Sequence, residues 1–264
     1  MQSQGHTSSG VTRRIGRSVT GVLASGVVIG FSALALGAAP ALARKAPLTP
    51  CAVAHVIGAR GSTEPPGFGS MGTLVKKIQA DVKATVSAKA VVYPAGLIPY
   101  EPSVVKGDEA VKKELTEEVE RCPSQKIVLV GFSQGAQITG DALGGGGGNE
   151  AAIFGQKDGP ATPPVSSTIA SHVIGLVMYG DPRRMPGESF DLGTDPGAEG
   201  IFPRLSSPNQ SLKGFSSLIQ SYCDTGDPFC AGGNNLGAHL KYPQKYDSSS
   251  STFVTKLLHA AGVS

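Results

Sequence analysis

The chain has 264 residues, 40% of them hydrophobic and 16% charged, with a formal net charge of +3. The first 43 residues hold three arginines and no acid, so the rest of the chain is neutral on balance. No basic patch remains to suggest nucleic acid, and no Lys/Arg cluster suggests an anionic membrane surface.

Arg13, Arg14 and Arg17 form a basic start, followed by an uncharged apolar segment from Ser18 to Ala43 that closes on ALA (Ala41, Leu42, Ala43). This is the layout of a cleaved export signal, with removal expected after Ala43. An uncleaved membrane anchor is the alternative, and the Gly, Ser and Ala content argues against it. Arg13-Arg14 raises twin-arginine export, although Gly16 stands where that signal prefers a bulky apolar residue. A secreted, extracellular domain spanning 44–264 is therefore expected, without stable membrane insertion and long enough for one well-buried core. Its cysteines, Cys51, Cys122, Cys223 and Cys230, are even in number behind an export signal. They imply two disulfides, and four cysteines allow three pairings. No C-x-x-C occurs, so no metal is expected.

AVAHVIG (Ala52–Gly58) reads as a first strand. Val75, Ile78, Val82 and Val86 then repeat at three and four, giving a helix with one buried face. GFGSMG (Gly67–Gly72) fits a dinucleotide fingerprint. However, RGSTEPP separates it from the strand, and the second strand, AVVYPAG, ends without a ribose-binding acid. No nucleotide or other cofactor is expected. Ser103 to Arg121 is helical, IVLV is a third strand, and Gln134 to Leu143 is the next helix. GGGGG (Gly144–Gly148) and QKDGPATPPVSS (Gln156–Ser167) read as a mobile surface excursion. VIGLVMYG is a fourth strand, Asp181 to Asn209 is irregular, SLIQSYC holds a short fifth strand, and Thr252 to Ala261 closes as a helix. NQS (Asn209–Ser211) fits a glycosylation acceptor. Continuous apolar strands alternating with helices specify an α/β domain with a parallel sheet covered on both faces.

The third strand and its helix frame G-x-S-x-G at Gly131, Ser133 and Gly135. In a chain with 36 glycines the bare pattern is weak, but a strand–turn–helix context is what a nucleophile elbow requires. The Gln134 amide at the helix start would then point at an oxyanion. Ser133 needs an oriented base. His55 and His172 fall in predicted strands and His259 on the last helix, which leaves His239, in the loop after the last strand, to reach the carboxyl edge. The acid candidates are Asp181, in YGDP, and Asp227, in YCDTGDPFC. A disulfide across Cys223–Cys230 would add about 2.5 kcal/mol by chain entropy and would fix Asp227 against the imidazole. The order Ser133, Asp227, His239 also suits this sheet type.

The stretches C-x-x-x-H-V-x-G-A-R-G-S-T-E (Cys51–Glu64), CPSQKIVLVGFSQGA (Cys122–Ala136), YGDP, and YCDTGDPFC followed by His239 resemble the cutinase and acetylxylan esterase family of secreted serine esterases. The resemblance implies a three-layer hydrolase fold with a parallel sheet of about five strands. It implies the triad Ser133, Asp227, His239, an oxyanion hole of Ser62 and Gln134, and disulfides Cys51–Cys122 and Cys223–Cys230. The GST around Ser62 is cutinase-like. MYGDP and H-x-x-Y-x-x-x-Y (His239 to Tyr246) look more like acetylxylan esterases, and AGGNNLG suggests a polar rim. The expected activity is hydrolysis of short- to medium-chain carboxylic esters by a monomer without cofactor. The alternatives are deacetylation of xylan, a family lipase or phospholipase, and a non-catalytic surface-binding protein.

Overall fold

The computed structural model describes residues 50–149, 152–153 and 155–263. The expected export signal and its cleavage site lie outside the described residues. The central sheet is wholly parallel, in the order β2-β1-β3-β4-β6-β5. Its strands are β1 (Ala54–Ala59), β2 (Val86–Ala90), β3 (Lys126–Phe132), β4 (Val173–Tyr179), β5 (Asp191–Leu192) and β6 (Ile219–Tyr222). Six strands replace the five expected. The extra one, β5, is a two-residue edge strand inside the irregular Asp181–Asn209 stretch, too short to carry any hydrophobic period.

Alternate residues of the inner strands serve opposite faces. Ile57, Leu129 and Leu176 pack with Val111, Leu115 and Ile138, which belong to the helices α2 (Glu101–Arg121) and α3 (Gln134–Gly144). Val56, Val128 and Val177 pack with Leu74, Ile78, Val254 and Leu258 from α1 (Gly72–Asp81) and α7 (Tyr242–Ala260). This two-sided burial explains why the inner strands read as continuous apolar runs. Three short helices complete the described fold: α4 (Ser167–Ala170), α5 (Ser206–Lys213) and α6 (Leu236–His239). NQS falls within α5.

Several boundaries differ from the sequence reading, and α5 begins at Ser206, inside the stretch read as irregular. The first helix stops at Asp81, with Val82 extended as its cap, and Val86 begins β2 in register with Ala54. Their apparent helical spacing to Ile78 spans a turn into an edge strand. AVVYPAG contributes only its first residue to β2. The last helix starts ten residues before Thr252, through a serine run with weak helix propensity. Tertiary hydrogen bonds override that preference. The Tyr179 hydroxyl donates to Asp247 (3.0 Å) and lies within hydrogen-bond distance of the Ser250 hydroxyl (2.9 Å), and Ser251 donates to Asp81 (2.7 Å).

The expected surface excursion is also corrected at its glycine end, because Gly144 to Gly147 are buried. Gly146 and Thr162 exchange backbone hydrogen bonds of 3.0 and 2.9 Å. The Asp158 carboxylate pairs with the wholly buried Arg183, whose guanidinium also donates to the Gly147 carbonyl (3.2 Å). A buried guanidinium must find acceptors, and this loop supplies them. Arg204 is buried between Asp141 and Asp181 in the same way. Replacing Arg204 with Met should therefore lower stability by about 3–5 kcal/mol, because buried Asp181 loses its cation and Asp141 keeps only Arg183, at 3.4 Å. Urea unfolding would measure this, and a loss below about 1 kcal/mol would contradict the network.

Candidate active site

Ser133 lies at the turn between β3 and α3 with φ 54° and ψ −120°, a conformation that L-residues rarely adopt. The turn closes because its flanking residues lack side chains. A Cβ on Gly131 would overlap the Gly135 carbonyl, and one on Gly135 would overlap the Ala59 carbonyl of β1. The Ser133 amide donates to the Tyr179 carbonyl at the end of β4 (2.8 Å), fixing the tip to the carboxyl edge of the sheet. Gln134 opens α3, so its amide is among the helix N–H groups that have no partner one turn back. The Gln134 side chain is fully buried and accepts from Ser103 Oγ (2.8 Å). It donates to the Gly96 carbonyl (2.9 Å), tying the helix start to the loop before α2.

Ser62 lines the same cavity as Ser133. Its loop is built on two charged neighbours, Arg60 and Glu64, to which the sequence reading assigns no role. Glu64 accepts from the Gly61 amide (2.6 Å), the Ser70 amide (2.8 Å) and Ser70 Oγ (2.6 Å). Buried Arg60 donates to the carbonyls of Glu64 (2.8 Å) and Tyr93 (2.6 Å) and packs on the Tyr93 ring. GFGSMG therefore wraps a carboxylate. Its Gly69 sits at φ +53° directly against Glu64.

His239 ends α6 on the wall of the same cavity, between the rings of Phe132 (centroids 4.8 Å) and Phe229 (4.5 Å). Its Nδ1 lies 2.7 Å from Asp227 Oδ2. Gly180, at φ +61°, leaves the room it needs, since a Cβ there would stand 2.8 Å from His239 Cε1. Asp227 is fully buried between Cys223 and Cys230, which are disulfide-bonded, as are Cys51 and Cys122. Its Oδ1 accepts from the amides of Phe229 (2.7 Å) and Cys230 (3.1 Å), and Oδ2 also accepts from the Tyr242 hydroxyl (2.6 Å). Burial pushes this carboxyl up, but the bonds from His239, Tyr242 and Phe229 outweigh it and hold the carboxyl below the ordinary range.

The other candidates lie elsewhere. Asp181 accepts from the Arg183 amide (2.9 Å) and pairs with Arg204 (3.1 Å), so it serves a turn and the buried charge network. His55 is buried near the amino end of β1, with Nδ1 2.7 Å from Ser87 Oγ. Burial lowers its pKa, against the raising effect of Glu118 and Glu114. His55, Glu114 and Glu118 form the one metal-capable cluster among the described residues, but Lys89 (2.5 Å) and Arg121 (2.5 Å) already neutralise the two carboxylates. His172 precedes β4, and His259 is exposed on α7.

The cavity at Ser133 has a volume of about 570 Å³. Its lining is largely apolar, including Phe132, Phe202, Phe229, Ile153 and Ile201. Against the polar rim suggested by AGGNNLG, Leu236, Leu240 and Ile98 are 53%, 54% and 78% exposed at this site. The two asparagines of that segment cap and precede α6, and the leucines around them face outward.

A parallel sheet with an elbow at the carboxyl end of a central strand defines the α/β-hydrolase class. The sequence matches the family described as Cutinase over residues 50–258. It is 37% identical over 219 residues to Cutinase 11 of Verticillium dahliae, covering 80% of this chain and 71% of that protein. It is 35% identical over 219 residues to an acetylxylan esterase of Hypocrea jecorina, covering 80% and 69%. The solved catalytic core domain of acetyl xylan esterase from Trichoderma reesei superposes with a TM-score of 0.69 at 33% identity, over 79% of this chain and all of that one. The chain belongs to the cutinase family.

The depressed Asp227 has a definite pH signature. Its folded pKa lies below the unfolded value, so its contribution to stability is fully present above the ordinary carboxylate range and is lost as pH falls through the folded value. The stability difference between the wild type and Asp227→Asn should therefore be largest above about pH 5 and shrink toward pH 2. Urea unfolding across that range would read it, and a pH-independent difference would contradict the assignment of charge.

Proposed function

We propose that this chain is a secreted serine carboxylesterase, with the single catalytic domain at 44–264, that hydrolyses short- to medium-chain carboxylic esters. The observation that carries the reading is the convergence on one apolar cavity of a strained serine and a histidine backed by a buried carboxylate. His239 Nε2 takes the Ser133 proton as Ser133 Oγ attacks the ester carbonyl. The Gln134 amide and Ser62 hold the tetrahedral oxyanion. His239 then gives its proton to the leaving alcohol, and the acyl group stays on Ser133. Water, deprotonated by His239, attacks the acyl-enzyme, and the acid departs as the proton returns to Ser133. Asp227 stays ionised throughout, orients His239 and stabilises its cationic form.

The cavity supports more than acetyl esters, since a volume of about 570 Å³ with an apolar lining exceeds what an acetyl group fills. Likeness to the Hypocrea jecorina acetylxylan esterase favours a second reading, removal of acetyl groups from xylan. The pair of disulfides and the basic, then apolar, leader support secretion. Among the described residues no helix is long and apolar enough to cross a membrane.

Ser133→Ala should lower kcat on p-nitrophenyl butyrate at least about 10³-fold with unfolding unchanged. Normal turnover by that variant would overturn the reading. Across p-nitrophenyl esters from acetate to decanoate, kcat/KM should peak at four to eight carbons, by rough analogy with pockets of this size. A steep maximum at acetate, with release of acetate from xylan, would favour the second reading instead.

A further inference from the structure

Of the motif H-x-x-Y-x-x-x-Y, only His239 has a role in the reaction so far described, which leaves Tyr242 and Tyr246. Tyr242 is fully buried in the first turn of α7 and does not line the cavity. Its ring stacks on Tyr179 (centroids 5.8 Å, planes 19° apart) and stands perpendicular to His239 (6.2 Å, 90°). The same bare Gly180 makes room for both rings, since a Cβ there would lie 3.1 Å from the Tyr242 ring.

The hydroxyl has three neighbours, and they fix where its proton points. The Asp224 amide donates to it (2.9 Å), taking one lone pair. Cys230 Sγ lies 3.3 Å away, but as a disulfide sulfur it carries no proton and is a weak acceptor. The remaining neighbour is Asp227 Oδ2 at 2.6 Å, so the phenolic proton goes to the carboxylate. Burial, then the nearby Asp227 charge, push the phenol pKa well above its ordinary value, so it stays a donor at any working pH.

We infer that Tyr242 is a positioning residue for ester hydrolysis, holding the Asp227 carboxylate in the plane and at the basicity that His239 requires. The inference rests on the ester-hydrolase reading above. Each carboxylate oxygen receives two donors: the Phe229 and Cys230 amides on Oδ1, and His239 and Tyr242 on Oδ2. Without the phenol, Oδ2 keeps His239 alone. The carboxylate is then free to turn about its pinned Oδ1 and is more basic. A more basic partner strengthens the imidazolium, so the His239–Asp227 pair takes up its proton at higher pH. The other charged groups around this pair do not substitute for the hydroxyl. Asp224 is bonded to Lys245 and Tyr246, and Arg184 donates to Ser221.

The test is the pH–rate profile of Tyr242→Phe, which keeps the stacked ring. Its kcat should fall about tenfold with KM within twofold, and the acid limb of kcat/KM should move up by roughly half a unit or more. Site-specific 3-fluorotyrosine at 242, a stronger donor of nearly the same size, should move that limb down. Tyr246→Phe, which loses only a bond to Asp224 (2.5 Å), should leave the limb in place. A wild-type kcat and an unmoved limb in both Tyr242 variants would overturn this inference alone. A wild type inactive on every ester, or a Ser133→Ala variant that stays active, would instead overturn the reading on which it rests.

Discussion

Everything at the carboxyl edge of this sheet depends on one backbone turn, in which Ser133 is held at a positive φ between two glycines that cannot carry a side chain. Such a residue costs on the order of 1–3 kcal/mol, and the turn persists because its surroundings over-determine it. β3 is hydrogen-bonded on both sides, to β1 and β4, up to the turn itself, and the Ser133 amide is taken by Tyr179. The Gln134 side chain, buried and doubly bonded, then anchors the start of α3, so the helix amides keep their direction. One strained residue thus sets both where the hydroxyl stands and where the free amides at the start of α3 point.

Around this turn the chain separates two kinds of buried carboxylate. Asp141, Asp158 and Asp181 are matched by Arg183 and Arg204 and tie the Gly144–Ser167 segment and the YGDPRR turn to the body of the fold. Among the described residues Asp227 has no guanidinium partner, and its charge is held by two backbone amides, a phenol and an imidazole. This difference matters chemically. A carboxylate fixed by Arg has its charge cancelled, whereas one held by neutral donors keeps its field for the imidazolium that the proposed mechanism requires. The short Cys223–Cys230 bridge keeps the Asp227 amide donors in place.

Much of this was legible in the sequence because it is local. The inner strands announce themselves as apolar runs, the elbow as glycines two residues either side of a serine, and Asp227 by its place between close cysteines. What was hidden depends on contacts across the chain. Arg60, Glu64 and Tyr242 gain meaning only from partners brought in by folding, such as Tyr93, Ser70 and Asp227. The serine run of α7 reads as a loop until Tyr179 and Asp81 supply its hydrogen bonds. The glycine run reads as surface because no local pattern foretells the buried Arg183 that covers it. The apolar rim was obscured because Leu236 and Leu240 are isolated leucines in a polar stretch, and their exposure follows from the orientation of a four-residue helix.

The central claim is that Ser133 is the nucleophile, poised by its own backbone and by the His239–Asp227 pair. Mass-spectrometric mapping of a fluorophosphonate adduct tests it most directly. The account predicts one adduct per chain, on Ser133 within the tryptic peptide Ile127–Lys157, formed at neutral pH and abolished by prior unfolding. An unmodified protein, or an adduct on any other residue with Ser133 free, would contradict it.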